Sequence, residues 1–426
     1  MRAPRFLARV SLARVLLARA LSGPGRPAPG LFAPVRRAIS GPMPDGSSTL
    51  TLTLHPGIAE IGAAEWDACA GADNPFVSYA FLSALEDSGS AGARTGWLPQ
   101  HAALRDGDGR LVAVAPMYAK SHSYGEYVFD HAWANAYDRG GGGYYPKLQV
   151  AVPFSPVPGP RLLCRAGVPA EAMGGALAQA CEELGLSSVH ATFCTRAEWE
   201  ALGRAGWLRR LGTQFHWENA GYGTFDDFLG ALASRKRKAI RRERRDANAA
   251  GLRFVALRGH EITPRHWEAF YRFYTSTVDR KWGSAYLTRR FFPLLSERLG
   301  DRVVLMMAEH GGTPVAGALN LVGTDALYGR NWGCRGEWPF LHFELCYYRA
   351  IEYAIERGLR RVEAGAQGEH KIQRGYLPRP TYSAHWIAHA GLRRAVSGFL
   401  ERERPAVQAD MEALAELSPY RRAGEE

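Results

Sequence analysis

The sequence predicts an α/β (α+β) protein built from two similar domains in tandem, each a mixed central sheet flanked by helices. Three observations predict it. A chain of 426 residues, 46% hydrophobic and 22% charged, has room for two ordinary domains. Alternating apolar runs and helical runs follow one another in both halves. The order helix, hairpin, strand, helix, strand then occurs twice, and a repeat of roughly 150 to 170 residues is a duplicated domain, not a solenoid unit of ~20–50 residues.

The elements match in order. His55–Ala68 and His260–Phe270 both read as the end of a strand turning into a helix with a Trp on it. Leu104–Tyr118 and Ala308–Val322 each place a glycine turn, Asp-Gly or Gly-Gly, before an alternating apolar strand, which is a hairpin signal. Tyr127–Tyr137 and Ala326–Cys334 read as an aromatic strand in each half. Met173–Phe193 and Leu341–Gly365 read as a helix stopped by glycine and followed by a strand. In the second of these, Leu341, Leu345, Tyr348 and Ile355 share one helical face, Pro339 precedes the start and Gly358 marks the stop. The expected layout is a disordered leader or over-extended start over residues 1–42, domains over 43–215 and 216–400, and a helical or disordered tail over 401–426.

The net charge of +11 is concentrated at the start, where the first 44 residues hold eight Arg and no acid, leaving 45 basic against 42 acidic residues afterwards. A basic footprint for nucleic acid over the whole protein is therefore not implied. Arg spaced four or five apart among Leu and Ala interrupts a secretory h-region and suits a mitochondrial or other organellar transit peptide as the alternative to an over-extended reading frame or a disordered tail. Nothing approaches the ~20 apolar residues of a membrane span, so the expected location is cytoplasmic. Cys69, Cys164, Cys181, Cys194, Cys334 and Cys346 form no C-x-x-C pair and have no His at zinc-finger spacing, so neither a disulfide framework nor a metal site is expected.

The densest local signal is Arg235–Arg245, eight basic residues in eleven, running helically into Gly251 and an apolar strand. Such a run neutralises phosphates or forms a solvated helix face; on the first reading Arg237 and Arg241 bind the donor. The segment Ser234–Phe254 resembles the opening of the second domain of Fem-type peptidoglycan aminoacyltransferases. Gly365–Pro378 is similar to their closing motif, and Tyr144–Leu163 resembles the FemAB-like branch of the GNAT-type acyltransferase superfamily. The resemblance covers about residues 50 to 390 and implies tandem GNAT-like domains, transfer of an acyl or aminoacyl group to an amine, and a peptidoglycan-type precursor or other amino-bearing small molecule as acceptor. GNAT-type domains hold the acyl-CoA pyrophosphate on an Arg/Gln-x-x-Gly-x-Gly/Ala loop at a helix N-terminus. The corresponding string here, Arg330–Phe340, lacks it. The co-substrate is therefore open between acyl-CoA and aminoacyl-tRNA, with tRNA a possible partner and no bound cofactor expected. The alternative is a non-catalytic protein of this fold that recognises cell-wall precursors or tRNA.

Acyl transfer to an amine needs a proton acceptor and a polarised carbonyl. Glu344, Glu363, Glu369 and His370 are candidate bases, with Glu369, His370 and Glu344 preferred as catalytic residues. Glu369, His370 and Lys371 follow Gly365 and Gly368, whose flexibility suits close approach to a ligand. His370 alone among them titrates near neutrality, and Lys371 would orient an anionic group. Tyr328, Asn331 and Trp332 are expected to line the substrate cleft, or else belong to the core. In the first half Lys147, Tyr145 and Arg161 are the candidate substrate contacts, in the region that by resemblance faces the acceptor.

Overall fold

The computed structural model describes residues 37–39, 50–280, 283, 285–365 and 368–421, with backbone alone at 37–39, 279 and 280. They fall into two compact units, the first within 1–71, 76–212 and 381–406, the second within 72–75, 213–380 and 407–426. The boundary near 215 therefore falls at Gly212, whereas residues 381–400, expected in the second domain, fold with the first.

In the first unit Arg37–Ile39 (β1) pairs antiparallel with Leu50–His55 (β2), so three residues of the segment read as unstructured form a strand. Residues 1–36 and 40–42 of that segment lie outside the described residues. Helices Ala63–Ala70 (α1) and Tyr79–Asp87 (α2) follow, α2 capped by the Ser78 hydroxyl, which accepts the Phe81 N–H. Two interrupted strands come next, Trp97–Pro99 (β3) with His101–Arg105 (β4), then Leu111–Ala115 (β5) with Met117–Lys120 (β6). The turn between them is built as its sequence implies: the Asp106 carboxylate accepts the Asp108 and Arg110 N–H groups, and Gly109 is left-handed.

The expected aromatic strand over Tyr127–Tyr137 is instead the helix His131–Arg139 (α3). Its alanines alternate with large side chains and imitate a strand period, but alanine favours helix, and Trp133 and Tyr137, four apart, pack against the cluster of Tyr144, Ile387 and Leu392. The strand at that place is Lys147–Val150 (β7), followed by Leu163–Cys164 (β8), the helix Ala170–Glu183 (α4), the strand Ser188–Cys194 (β9) and the helix Arg196–Arg204 (α5). β7 runs parallel to β9, pairing Leu148 with Val189 and Val150 with Ala191. Leu148, Val150, Leu177, Val189 and Leu202 centre this unit's core.

The second unit begins within Leu208–Glu218 (β10) and continues through helices Phe225–Gly230 (α6) and Ser234–Asn248 (α7) to Leu252–Arg258 (β11). Helices Pro264–Arg280 (α8) and Phe291–Leu299 (α9) lead into Val303–His310 (β12), Thr313–Val322 (β13) and Ala326–Cys334 (β14), an antiparallel run with β11 at its edge. Gly311 and Gly312 make the expected hairpin turn with positive φ. A composite helix follows: Leu341–Phe343 (α10), a π-helical turn Glu344–Tyr348, and Arg349–Glu356 (α11). All four side chains expected on its buried face, Leu341, Leu345, Tyr348 and Ile355, are in this unit's core. Arg361–Glu363 (β15) then lies parallel to β14 and antiparallel to β10. After a 3-10 turn Glu369–Arg374, the strand Leu377–Ile387 (β16) enters the first unit, where Tyr382–Ile387 pairs with β9, and Ala390–Glu416 (α12) closes the chain. Among the described residues no helix is long and apolar enough to cross a membrane.

Candidate active site

The parallel pair of the second unit is short. β14 and β15 meet across Ala326–Arg361, Leu327–Val362 and Tyr328–Glu363 only; β15 then ends while β14 runs on to Cys334. The β13–β14 register slips between Ala318 and Asn320, which puts Arg330 and Asn331 in a bulge. From Gly329 onward this edge of β14 has no strand partner among the described residues. A wedge therefore opens, with backbone amide groups along one side and Glu363 at its apex.

Glu363 is buried, and one carboxylate oxygen accepts from Arg361 Nε at 2.9 Å. The other, Oε2, takes no hydrogen bond among the described residues and lies 4.0 Å from His216 Nε2 on β10. Burial pushes the Glu363 carboxyl up to about 7, more than the Arg361 guanidinium pulls it down. Burial likewise lowers His216 to about 3, helped by Arg361, so His216 is a neutral neighbour. Arg361 is anchored by Asp325 at 2.5 Å and donates to the Tyr328 hydroxyl at 3.3 Å. A carboxyl poised near neutrality with one open oxygen is suited to accept a proton from an ammonium or attacking amine.

The other expected residues of this half are distributed around the wedge. Tyr328 is buried at its apex and Asn331 sits in the bulge. Trp332 packs against His342 with tilted rings whose centroids are 4.9 Å apart, His342 lies 6.2 Å from His370, and His370 Nε2 is 2.9 Å from the Tyr347 hydroxyl. This chain of rings runs from Trp332 on β14 to His370. Lys371 is buried and donates to the Gly365 carbonyl at 2.8 Å, a tie that closes the loop, and Glu369 is exposed. Glu344 is no base: fully buried, it holds Arg244 at 3.2 Å and Arg349 at 3.1 Å. On α7, Arg241 is exposed and paired with Asp226, also exposed, at 3.0 Å, while Arg237 is half-buried. A cavity of about 510 Å³ lies between α8 and the end of β14, lined among others by Arg265, Arg272, Phe273, Cys334 and Arg335. No group of three His, Cys, Asp or Glu that could hold a metal occurs among the described residues.

The family model for FemAB-like proteins, described as peptidoglycan biosynthesis/recognition, matches residues 57–422. The chain belongs to that family. No curated protein gives a match. Among solved structures, this FemAB-like protein is similar to the C-terminal domain of a putative lysylphosphatidylglycerol synthetase from Agrobacterium fabrum, at a TM-score of 0.51 and 11% identity over 84% of this chain and 96% of that one. It is also similar to FemX, at 0.50 and 12% over 79% and 98%. A tandem GNAT protein from the clavulanic acid biosynthesis pathway gives 0.45 and 12% over 80% and 99%. The first two likenesses show that the chain shares the fold of those proteins.

Each unit contains a parallel strand pair of three register positions, and the two differ at the last. The last pair of the parallel strands in the first unit is Val150 with Ala191, where the second unit has Tyr328 with Glu363. The first unit's expected contacts are committed elsewhere in this FemAB-like protein. Arg161 is fully buried and donates to the backbone carbonyls of Thr192, Val157, Gly159 and Pro160, so it staples the proline-rich loop and is not a substrate contact. Lys147 is fully buried and donates to Ser123 and Glu126 at 2.8 Å and to Asp130 at 2.5 Å; Tyr145 hydrogen-bonds Ser123 at 2.8 Å. His216 and Arg361 carried no sequence expectation, although Gln214, His216 and Glu218 form a polar stripe alternating with Phe215 and Trp217 that a period-2 reading exposes.

Proposed function

We propose that the β14–β15 wedge is the acyl-transfer centre of the protein, with Glu363 as the proton acceptor. The protein is an acyl- or aminoacyltransferase acting on an amine of a peptidoglycan-type precursor. The observation that carries the assignment of the site is the juxtaposition of Glu363, held near neutrality with one open oxygen, with the edge of β14 at which pairing to β15 stops after Tyr328. That edge supplies N–H donors for the oxyanion that develops as the amine attacks the acyl carbonyl. Glu363 takes the amine proton, and the collapsing intermediate expels the donor's oxygen or sulfur.

Aminoacyl-tRNA is the favoured donor. Arg330–Phe340 lacks the glycine-rich phosphate loop, and α7 exposes Arg235, Lys238, Arg241, Arg242 and Arg245, a face suited to a polyanion. The arginines of the α8–β14 cavity suit an anionic part of either substrate. The experiment offers purified protein an aminoacyl-tRNA pool or acyl-CoA together with a peptidoglycan precursor and follows transfer of labelled acyl group. Transfer from tRNA that Glu363→Gln abolishes supports the assignment; precursor binding with no transfer from either donor favours a recognition protein instead.

A further inference from the structure

α7 carries two faces of opposite character. Ile240 and Ala247 are buried, and Lys236, Glu243 and Arg244 stand on the same stripe at three- and four-residue spacing. Arg235, Lys238, Arg242 and Arg245 stand exposed on the other side. Arg244 ties the inner stripe to the composite helix through Glu344 and Glu352. The other two inner charges are committed instead to the segment that follows Glu363. Lys236 donates to the Gln373 side chain, and Glu243 accepts from Arg374 Nη2 at 2.9 and 3.0 Å.

From Arg374 a run of hydrogen bonds leads back toward Glu363. Arg374 Nη1 donates to the His370 carbonyl at 2.8 Å, and its guanidinium lies 3.4 Å from the centre of the Phe343 ring. Lys371, next to His370, is buried and donates at 2.8 Å to the carbonyl of Gly365, which stands just beyond Glu363 in the chain. The π-helical turn Glu344–Tyr348 props both ends of this run. The Tyr348 hydroxyl donates to Glu243, and the adjacent Tyr347 hydroxyl is 2.9 Å from His370 Nε2. π-helical turns are rare and recur at functional positions.

We propose that Glu243 is a positioning residue of the transfer centre: through Arg374, His370, Lys371 and Gly365 it sets the segment that follows Glu363, so that a polyanion docked on the outer face of α7 orders this segment beside the site. Desolvation cancels much of the Coulomb gain of such a half-buried pair, so its contribution lies in geometry more than in stability. A contiguous run of hydrogen bonds joining two rigid elements is the physical medium that coupling between sites requires. The inference rests on the transfer reading and adds to it a direction of action, from the helix that meets the donor to the proton acceptor.

The test uses the full chain, with deacylated tRNA as the polyanion. In the unmodified protein, bound tRNA should slow amide hydrogen exchange of residues 368–375 severalfold. Glu243→Gln at saturating tRNA should lose that protection, while its affinity for tRNA in filter binding stays within threefold. Protection that survives Glu243→Gln means that tRNA covers the segment directly, and overturns the proposal; so does tRNA binding to the unmodified protein with no protection at all. In the labelled-transfer assay the variant should lose about tenfold in kcat with little change in KM for the tRNA. A lowered melting temperature with kcat of the folded fraction intact would make Glu243 merely structural and overturn the proposal too. Should Glu243→Gln not fold, Arg374→Lys takes its place in both measurements, because an ammonium keeps the charge but loses the fork that holds Glu243 and the His370 carbonyl together. Protection that depends on Glu243 in a protein that transfers no group supports the coupling and defeats the transfer reading alone, whereas failure to bind tRNA defeats both.

Discussion

Glu363 makes the sharpest claims. Replacing it with Gln keeps size and polarity but removes the proton acceptor, so kcat should fall by ~10²- to 10⁴-fold in a labelled-transfer assay. In the unmodified protein the rate should rise with pH through about 7, and Arg361→Met should move that rise to higher pH, because Arg361 holds the carboxylate down. The sign for stability is opposite. The folded carboxyl binds its proton up to about 7 against an ordinary 4.5, so between those values the folded state holds a proton that the unfolded chain releases, and stability falls as pH rises through that window. Thermal melts should show this slope in the unmodified protein and lack it in Glu363→Gln. Glu344 provides the contrast: its removal leaves Arg244 and Arg349 with Glu352 as their remaining shared carboxylate, and both are partly exposed, so Glu344→Gln should cost about 1–3 kcal/mol in denaturant melts while kcat of the folded fraction stays within twofold. A hundredfold loss of kcat with unchanged stability would return Glu344 to the chemistry.

Among the elements, α7 separates a structural face from a solvated one. Arg244 is committed to Glu344 and Glu352, and Lys236 to Gln373, whereas Arg235, Lys238, Arg242 and Arg245 recur at three- and four-residue spacing on the exposed side. Arg237→Glu with Arg241→Glu should leave the fold intact and weaken tRNA binding, with the slope of log affinity against log salt flattening by ~0.7–0.9 for each phosphate no longer neutralised. Filter binding across a salt series checks it, and an unaltered slope would make α7 a solvated face only. The elements that could be read in advance were those whose turn chemistry is local: the Asp106–Arg110 and Gly311–Gly312 hairpins and the Gly358 helix stop. α3 reads as a strand because its Ala-aromatic alternation fits both periods, and only its packing on α12 and Tyr144 decides between them. The wedge was not legible at all, because where two parallel strands part depends on a bulge and a strand length, neither of which the residues Arg330 and Asn331 announce.

For the whole molecule, the tandem order was legible while the closing exchange was not, since nothing local marks Pro380 as the point where the chain changes units. The two units are therefore not two consecutive segments, and this has a direct consequence for fragments. A piece spanning residues 50–212 retains β9, all seven of whose residues are buried, but lacks Tyr382–Ile387, which hydrogen-bond along it. It also loses Ile387, Leu392, Val396 and Leu400, the partners that bury Trp133 and Tyr144. Losing the burial that these four aliphatic side chains contribute forfeits ~1.5–3 kcal/mol each, comparable with the entire stability of a domain, before the missing strand is counted. The fragment should show no cooperative melt and no protected amides in β9. The same fragment with residues 381–406 joined through a flexible glycine-serine linker should regain both, because strand and helix then return to the sheet they complete. A cooperative melt of residues 50–212 alone, at the temperature of the full chain, would mean that the first unit is already complete before Gly212 and that the C-terminal strand is an accessory to it.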